Sequence, residues 1–238
     1  MTDDERKAIL DRCRGLRTTD VNDGMDHVGL QDVGLVAHDI VPLWRDVQTF
    51  AHRICGFAHT VRFLPTNKRP GTMSPEEYAR FMGQWYRDLA QGPHAGQIRP
   101  GDVIVIDGHE TGVGFIGSNN AQNWINRGAA GVVTNGACRD SDELIRQKIP
   151  VYCRYTRATV RPGRCELDTV NVPVNIGGVM VRPGDLVVAD GDGVVVVPIE
   201  HVQTVLAEAR RIANQDRRGR AKLYEQAGRA QDETTEQL

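Results

Sequence analysis

Apolar positions recur at helical spacing near the start of the chain. Thr2 and Glu5 have the pattern of a capping box, and the predicted helix ends at Gly15. Its apolar face carries Ile9, Leu10 and Cys13. Residues 18–30 read as a loop and the start of a second helix. Residues 47–63 alternate loosely, as a pair of strands would.

A clearer helix start follows a polar, turn-forming stretch. Ser74 is a capping residue, Pro75 occupies the first helical position, and Glu77 stands three residues after the cap. An apolar stripe at helical spacing comes next, formed by Tyr78, Phe81, Met82, Trp85 and Leu89. We expect this helix to face the core rather than a cofactor.

From Arg99 onward the pattern changes to short apolar runs separated by glycine. RPGDVIVIDG (99–108) and RPGDLVVADG (182–191) are near-copies of each other. Each has a Pro-Gly turn, an apolar strand and an Asp-Gly exit. Continuous apolar runs of this kind are typical of strands that are buried on both faces.

The other segments complete a layered α/β pattern, which we expect to form a single domain over residues 1–238. The predicted helices are 118–127, 141–148 and a long charged helix at 199–228, and the predicted strands are 132–134, 151–155 and 194–197. Residues 229–238 are expected to form a tail, frayed over DETTEQL.

Composition narrows the functional class. The net charge of −2 gives no general attraction to nucleic acid or to an anionic membrane. No apolar run approaches the roughly 20 residues that cross a bilayer. The first residues are acidic and polar, unlike a signal peptide. We therefore expect a soluble, cytoplasmic protein.

The cysteine count argues against a disulfide framework. There are five cysteines, an odd number without paired spacing, and no C-x-x-C pair that would indicate zinc. We expect ordinary buried or half-buried thiols. Cys138 is expected to form a wall of the site described next.

Two short segments could carry chemistry. Gly117, Ser118, Asn119 and Asn120 stand at a helix start, where free backbone N–H groups favour a carboxylate or a phosphate. Most helix starts led by glycine are simply capped, so this pattern is weak by itself.

Arg139 and Asp140 follow a buried strand, at a position where α/β proteins often place their sites. A guanidinium matches a carboxylate, and a neighbouring aspartate can hold a hard cation such as Mg²⁺. The alternative is structural, because residues 140–143 also have the pattern of a capping box for the next helix.

From about residue 18 to residue 200 the sequence resembles the RraA-like family, which includes 4-hydroxy-4-methyl-2-oxoglutarate aldolases and the ribonuclease E regulator RraA. The matching pieces, in chain order, are TDVND (19–23), RPGDVIVID (99–107), Gly117, RGAAGVV (127–133), NGACRD (135–140), IPV (149–151) and residues 173–198. The resemblance implies an α/β/β swivelling-domain sandwich with a long C-terminal helix. It also implies a homotrimer or homohexamer with sites between subunits.

The resemblance also implies roles for the two segments. In the family's aldolases, the residue matching Asp140 binds Mg²⁺ (or Mn²⁺), and the residue matching Arg139 contacts the substrate. The backbone at residues 117–120 holds the pyruvyl end. The expected reaction is cleavage of a small 2-oxo acid to a pyruvate enolate, with decarboxylation of oxaloacetate as a side activity.

Three departures from the family pattern stand out. Ser118-Asn119-Asn120 replaces a more apolar run, and Asn214-Gln215-Asp216 replaces a Lys-Glu pair that reaches a neighbouring subunit's site. Residues 64–98 are poorly covered and are interpreted as a lid or a subunit contact. These departures leave two alternatives open, a non-catalytic regulator that binds an RNA-processing enzyme and a lyase or hydratase of sugar-acid derivatives.

Other polar residues are weaker candidates. His109-Glu110 could supply an acid/base group, although a solvated loop pair is the favoured interpretation. Asp107 is either a supporting carboxylate or a turn former. Residues 190–193 (DGDG) predict a tight hairpin turn rather than a calcium loop.

Overall fold

A mixed sheet forms the centre of the molecule, in a computed structural model that describes residues 1–91 and 97–238. Within these residues the strands are β1 (Val41–Pro42), β2 (Ile54–Pro65), β3 (Asp102–Asp107), β4 (Gly114–Ile116), β5 (Gly131–Cys138), β6 (Val151–Thr156), β7 (Cys165–Val170), β8 (Val174–Ile176), β9 (Val179–Val181), β10 (Leu186–Asp190) and β11 (Gly193–Val197). The helices are α1 (Asp3–Cys13), α2 (Thr18–His27), α3 (Pro75–Asp88), α4 (Ser118–Asn126), α5 (Ser141–Arg146) and α6 (Val202–Gln226). A short 3₁₀ turn, Ile199–His201, precedes α6.

The large sheet runs in the order β1-β6-β5-β3-β2-β10-β11. Strands β2, β3, β5 and β6 are mutually parallel, whereas β10 pairs antiparallel with both β2 and β11. β4 pairs with the end of β5, and β7 pairs with the end of β2. The predicted α/β/β sandwich with a long C-terminal helix is therefore confirmed.

Apolar clusters lie on both sides of this sheet. One contains Val21, Met25, Leu206 and Ala209, which join α2 and α6 to the valines of β10 and β11. A second contains Trp85, Phe115, Trp124 and Leu144, from α3, β4, α4 and α5. Because strands β3 and β10 are buried on both faces, their central residues read as unbroken apolar runs. β5 is buried throughout as well, although it contains Thr134 and Asn135.

The predicted helix starts at Thr2 and Ser74 are confirmed, since both residues form capping boxes with the glutamate three positions later. Of the stripe on α3, Trp85 is buried and donates its indole N–H to the carbonyl of Cys165 at 3.0 Å, whereas Tyr78 is exposed. The role expected for residues 64–98 stays a prediction, and residues 92–96 of that region lie outside the described part.

The prediction of two strands in residues 47–63 is wrong, because only β2 forms there. The carboxylate of Asp46 accepts hydrogen bonds from the amides of Gln48 and Thr49 at 2.9 and 3.2 Å. This aspartate-centred turn occupies the first part of the segment, and the strand begins only at Ile54.

The prediction of a frayed tail is also wrong. Residues 229–238 fold back along α6, where Arg217 donates to the carbonyls of Glu233 and Glu236 at 3.0 and 2.7 Å. The amide of Leu238 donates to Asn214 at 2.7 Å. Backbone carbonyls are the main acceptors here, so a charge pattern in the sequence does not reveal the contact.

The expectation of free thiols fails for one pair, since Cys13 and Cys55 are joined by a disulfide across 42 residues. The pair forms because the end of α1 packs against β2, a contact that residue spacing does not show. Cys138, Cys153 and Cys165 are buried free thiols, as expected. Among the described residues, no helix has the length and apolar character that crossing a bilayer requires.

Candidate functional site

Strand pairing brings together the two segments that the sequence singled out. β4 runs parallel to the end of β5, with Ile116 opposite Cys138, and the amide of Arg139 donates to the carbonyl of Ile116 at 2.8 Å. Since Gly117 follows Ile116 directly, the start of α4 lies beside the Arg139-Asp140 pair.

The Asp140 side chain is turned away from its own helix. Its backbone is left-handed, with φ 56°, and its carboxylate makes no capping bond to α5. Instead one carboxylate oxygen accepts the amide of Ser118 at 3.1 Å, and the other accepts Nε of Arg139 at 3.1 Å. The geometry therefore does not match the capping-box interpretation of residues 140–143, although Asp140 is still the residue that precedes α5.

Gly117 makes this close approach possible. A Cβ atom at position 117 would stand 3.0 Å from the Oδ2 atom of Asp140 and 3.6 Å from the Arg139 side chain. Any larger residue would crowd the carboxylate. A glycine here allows the aspartate to reach the amide at the start of α4, where the helix dipole also favours negative charge.

The environment keeps Asp140 ionised. Partial burial by itself raises the pKa of this carboxyl, but the hydrogen bond from Ser118 and the Arg139 guanidinium outweigh it, so the net pKa is lowered. Its side chain is 32% exposed, and Arg139 is 36% exposed. The pair is therefore charged, oriented and open to a ligand.

A cleft of about 250 Å³ opens over this pair. It is lined by Cys138, Arg139, Asp140, Ser141, Thr156, Arg157 and Ala158. Thr156 ends β6, and Arg157 and Ala158 follow it; these three residues were not predicted from the sequence. The amide of Arg157 donates to the carbonyl of Cys138 at 2.9 Å, which places a second guanidinium at the cleft. An exposed arginine after a strand gives no sequence signal that separates it from a solvated one.

The remaining predicted site residues differ in exposure. Asn119 and Asn120 are exposed in the first turn of α4, where backbone N–H groups have no partner inside the helix. Cys138 lines the cleft, but its thiol is fully buried and lies 3.6 Å from the sulfur of Cys153. That hydrogen bond, together with burial, raises the pKa of Cys138, so its thiol is not a nucleophile.

The donor set suits a hard cation that keeps most of its water. Across residues 1–91 and 97–238, no three His, Cys, Asp or Glu side chains form a metal cluster. Zinc and calcium sites usually need several protein ligands, whereas Mg²⁺ and Mn²⁺ can be held by one or two carboxylates and waters. Each Asp140 oxygen has lone pairs left beyond its hydrogen bonds, which fits such an ion.

The weaker candidates have structural roles. Asp107 is buried and accepts hydrogen bonds from Asn135, His109 and Asn175 at 2.8, 3.0 and 3.2 Å, so it organises the strand exit as a turn former. Glu110 forms an ion pair with Arg154 at 2.9 Å.

Two further sequence predictions concern turns and the C-terminal helix. Residues 190–193 form the predicted tight hairpin, with Asp190 opposite Gly193. On α6, Asn214 binds Leu238, Gln215 is exposed, and Asp216 lies 3.6 Å from Arg17.

Comparison with known families gives a match over most of the chain. Residues 18–196 match the family model described as RraA-like, Aldolase/RraA. A protein of Halalkalibacterium halodurans, provisionally named a 4-hydroxy-4-methyl-2-oxoglutarate aldolase, is 37% identical over 116 residues, which are 48% of this chain and 55% of that protein. The 4-hydroxy-4-methyl-2-oxoglutarate aldolase of Thermus thermophilus is 35% identical over 103 residues, 41% of this chain and 60% of the enzyme. The match thus spans little more than half the length of these relatives.

Solved structures share the fold over nearly the whole chain. An uncharacterized protein from Pseudomonas syringae pv. tomato superposes with a TM-score of 0.72 at 26% identity, covering 94% of both chains. RraAS2 of Streptomyces coelicolor, described as an unusual member of the RNase ES inhibitor RraA protein family, superposes with a TM-score of 0.70 at 24% identity, covering 93% of this chain and 100% of its own.

Proposed function

Because the chain belongs to the RraA-like family, we propose that it is an aldolase-type carbon–carbon lyase that uses Mg²⁺ or Mn²⁺ to cleave or decarboxylate a small 2-oxo acid. One observation carries the proposal. The Asp140 carboxylate makes no capping bond to its own helix α5. It lies beside Arg139 at the mouth of an open cleft and accepts the Ser118 amide at the start of α4. The aldolase names of the relatives agree with this reaction class.

Asp140 would hold the cation, mostly through water molecules. When bound, such an ion supplies Lewis acidity, which draws electrons from a 2-oxo group. The chain's own contribution is to keep this carboxylate ionised, through the Ser118 amide and the Arg139 guanidinium. Gly117 keeps space for that arrangement, since a side chain there would touch Asp140.

Arg139 would bind and orient the substrate. Its Nε atom is engaged by Asp140, which fixes the guanidinium plane and leaves the terminal NH₂ groups available at the cleft. A fork of this kind matches a carboxylate, and it stabilises negative charge that develops on the 2-oxo oxygen during cleavage. The backbone amides of Asn119 and Asn120 are further donors for the substrate carboxylate.

The assembly belongs to the same proposal. We expect a homotrimer or homohexamer in which a neighbouring subunit covers the cleft, because this cleft is shallow and open on one chain alone. The far end of the substrate would then be recognised across that interface, which fits a site whose own residues supply one carboxylate and two arginines.

The test is an assay for pyruvate release, coupled to lactate dehydrogenase. The substrates are oxaloacetate and a branched 4-hydroxy-2-oxo acid, each with Mg²⁺, with Mn²⁺ or with excess EDTA. We expect turnover that EDTA abolishes. Asp140→Asn should lose activity by about 100-fold or more, while Mn²⁺ binding measured by electron paramagnetic resonance weakens in parallel.

Asp142→Asn is the matched control, because Asp142 is exposed two residues further along the same loop and helix. It should keep full activity, and both variants should unfold within about 1 kcal/mol of the parent protein. Metal-independent turnover, or full activity in Asp140→Asn, would contradict the proposal. Absence of any turnover, together with capture of an RNA-processing enzyme, would favour the regulator instead.

A further inference from the structure

A second and larger cavity, of about 580 Å³, lies far from the Asp140 cleft. Its walls come from the loop before α2, the residues before β2, the C-terminal half of α6 and the folded-back tail. Four arginines line it, namely Arg17, Arg53, Arg217 and Arg220. A concentration of guanidinium groups around one cavity costs electrostatic repulsion unless negative charge offsets it.

Of the four arginines, only Arg17 forms an ion pair with a carboxylate. It forms an ion pair with the buried Asp20 at 2.5 Å, and Asp216 lies 3.6 Å away. In the part of the chain that the structure describes, no carboxylate lies within 4 Å of the guanidinium groups of Arg53, Arg217 or Arg220. These three guanidiniums therefore form no ion pair, although Glu233 and Glu236 also line the cavity and Asp20 and Asp190 act on Arg53 from a longer distance.

Arg53 is held in place without an acceptor. Its guanidinium stacks on the ring of Phe50 at 3.8 Å, and its Nε atom is buried without a hydrogen-bond partner. Phe50 itself has a left-handed backbone, φ 55°, which is unfavourable for a bulky residue and is retained only where the surroundings require it. Burial also lowers the pKa of Arg53.

Arg217 and Arg220 bind the backbone of the tail. Arg217 donates to the carbonyls of Gly15, Glu233 and Glu236, and Arg220 donates to the carbonyl of Thr234 at 2.6 Å. Carbonyl oxygens orient these side chains but do not neutralise them. Since a guanidinium has five N–H donors, Arg220 retains several that can reach a ligand.

The arginine cavity and the Asp140 cleft lie at opposite ends of the parallel strands. Arg53 directly precedes β2, and the register sets Ala58 of β2 level with Val103 of β3 and Gly131 of β5, so Arg53 lies five residues before the level at which β5 begins. Asp140 comes where β5 ends, after eight residues of strand. At 3.3 Å per residue, the length of β5 alone separates these points by more than about 25 Å within one chain.

We propose that the arginine cavity is a binding site for a small anion with at least two negative charges, such as a dicarboxylate or a phosphate compound, distinct from the Asp140 cleft. The three guanidiniums without an ion pair favour an anionic ligand, and their planar forks suit carboxylate and phosphate oxygens alike. The volume accommodates a metabolite-sized anion rather than a single inorganic ion.

The test is calorimetric titration of the full chain with malonate and with inorganic pyrophosphate, at constant ionic strength, after divalent cations have been stripped with a chelating resin and without any soluble chelator in the buffer. We expect one site per chain for at least one of the two probes, and no saturable binding of acetate. Malonate binding alone would assign a dicarboxylate ligand, and pyrophosphate binding alone would assign a phosphate ligand.

The double variant Arg53→Gln/Arg220→Gln should bind at least tenfold more weakly, because two charge-assisted contacts are lost. Arg211→Gln is the matched control, since this exposed arginine is on the same helix, pairs with Glu208 and does not line the cavity. Arg53→Lys keeps the charge without the planar fork, so its affinity for the anion should be intermediate. This result would show that the weaker binding of the double variant is not caused by misfolding. Asp140→Asn should bind the anion normally.

Two results would overturn the inference. One is the absence of saturable binding of both probes to the parent protein. The other is binding that survives the double variant but disappears in Arg139→Gln, which would place the anion in the Asp140 cleft. Circular dichroism of each variant shows whether it is folded before either result is interpreted.

Discussion

The near-copies RPGDVIVIDG and RPGDLVVADG form the same local structure in two different surroundings. At the entry, Asp102 accepts the amide of Arg99 at 2.8 Å, and Asp185 accepts the amide of Arg182 at 2.7 Å. Both turns pass through a glycine with positive φ, 80° and 89°. The ten-residue pattern therefore determines the turn and the strand, whatever lies around them.

The neighbours of the two copies differ. β3 lies between the parallel strands β2 and β5, whereas β10 forms an antiparallel hairpin with β11. The exit Asp107 leads into the loop toward β4, while the exit Asp190 accepts the amide and hydroxyl of Thr18 at 2.9 and 2.6 Å and so fixes the start of α2. Thus identical local chemistry supports the site in one copy and the helical layer in the other.

The largest difference in stability between matching variants of the two copies should appear at the entry aspartates, Asp102 and Asp185. Asp102 forms a buried ion pair with Arg6 at 2.6 Å, with both side chains 7% exposed, whereas Asp185 accepts only backbone amides. Asp102→Asn leaves the Arg6 charge buried and uncompensated, so we expect a loss of about 3–5 kcal/mol in the free energy of unfolding. Urea denaturation monitored by circular dichroism measures it.

Asp185→Asn is the matched comparison. Burial raises the pKa of Asp185, which shows that its charge is costly, so losing that charge should cost only about 1 kcal/mol. Arg6→Met combined with Asp102→Asn should recover much of the stability lost in Asp102→Asn. Equal losses in the two aspartate variants would show that Arg6 contributes nothing specific to the first copy.

A smaller difference in stability is expected between variants of the exit glycines, Gly108 and Gly191. A Cβ atom at Gly108 would lie 2.2 Å from the ring of Phe115, whereas one at Gly191 would have nothing closer than the flexible Arg45 side chain at 3.5 Å. Gly108→Ala should therefore destabilise the protein by about 1–3 kcal/mol, and Gly191→Ala should change it by less than about 0.5 kcal/mol. Thermal unfolding of both variants gives the comparison.

Phe115 also packs against Gly136, where an added Cβ would lie 2.7 Å from its ring. This ring thus holds β4 against β5, next to Gly117 and Asp140. Gly108→Ala should accordingly lower any Asp140-dependent activity more than Gly191→Ala does. If Gly108→Ala is as stable as the parent, the ring moves freely and does not position the site.

Much of the fold could be predicted because it is encoded locally. Burial on both faces made the runs at 99–108 and 182–191 readable as strands, and capping patterns located the helices at Thr2 and Ser74. Burial alone does not distinguish a parallel strand from an antiparallel one, so the different pairing of the two copies was not predictable. The Cys13–Cys55 bond was missed because it depends on the packing of α1 against β2, which residue spacing does not show.

The candidate site was predictable only in part. The Arg139-Asp140 pair and Gly117 were found by pattern and resemblance, but without the resemblance the residue pattern favoured a capping role for Asp140. Whether Asp140 caps α5 or turns toward α4 depends on its left-handed backbone, φ 56°, which the sequence does not specify. The arginine cavity was not predicted, because its four arginines come from three separate segments and each resembles an ordinary surface arginine.

The smallest expected effect concerns His59, a buried residue of β2 beside the first copy. Its Nδ1 atom lies 3.9 Å from the Asp102 carboxylate, and its Nε2 atom is buried without a partner. Burial lowers the pKa of His59 below the ordinary value of 6.5, although Asp102 partly opposes the shift. The second copy has no corresponding histidine among its described contacts.

Because its pKa is lowered on folding, His59 binds fewer protons in the folded state than in the unfolded state. Its contribution to stability is therefore complete above pH 6.5 and is lost as the pH falls below that value, by up to about 1 kcal/mol per pH unit. We expect His59→Leu to flatten the decrease in the free energy of unfolding between pH 7 and pH 5.5, measured by urea titrations.

Part of the slope should remain, because burial also lowers the pKa of His52. His201→Gln, at an exposed position, should leave the slope unchanged. An unaltered slope in His59→Leu would mean that Asp102 offsets burial fully, and that the first copy carries no acid-sensitive contact.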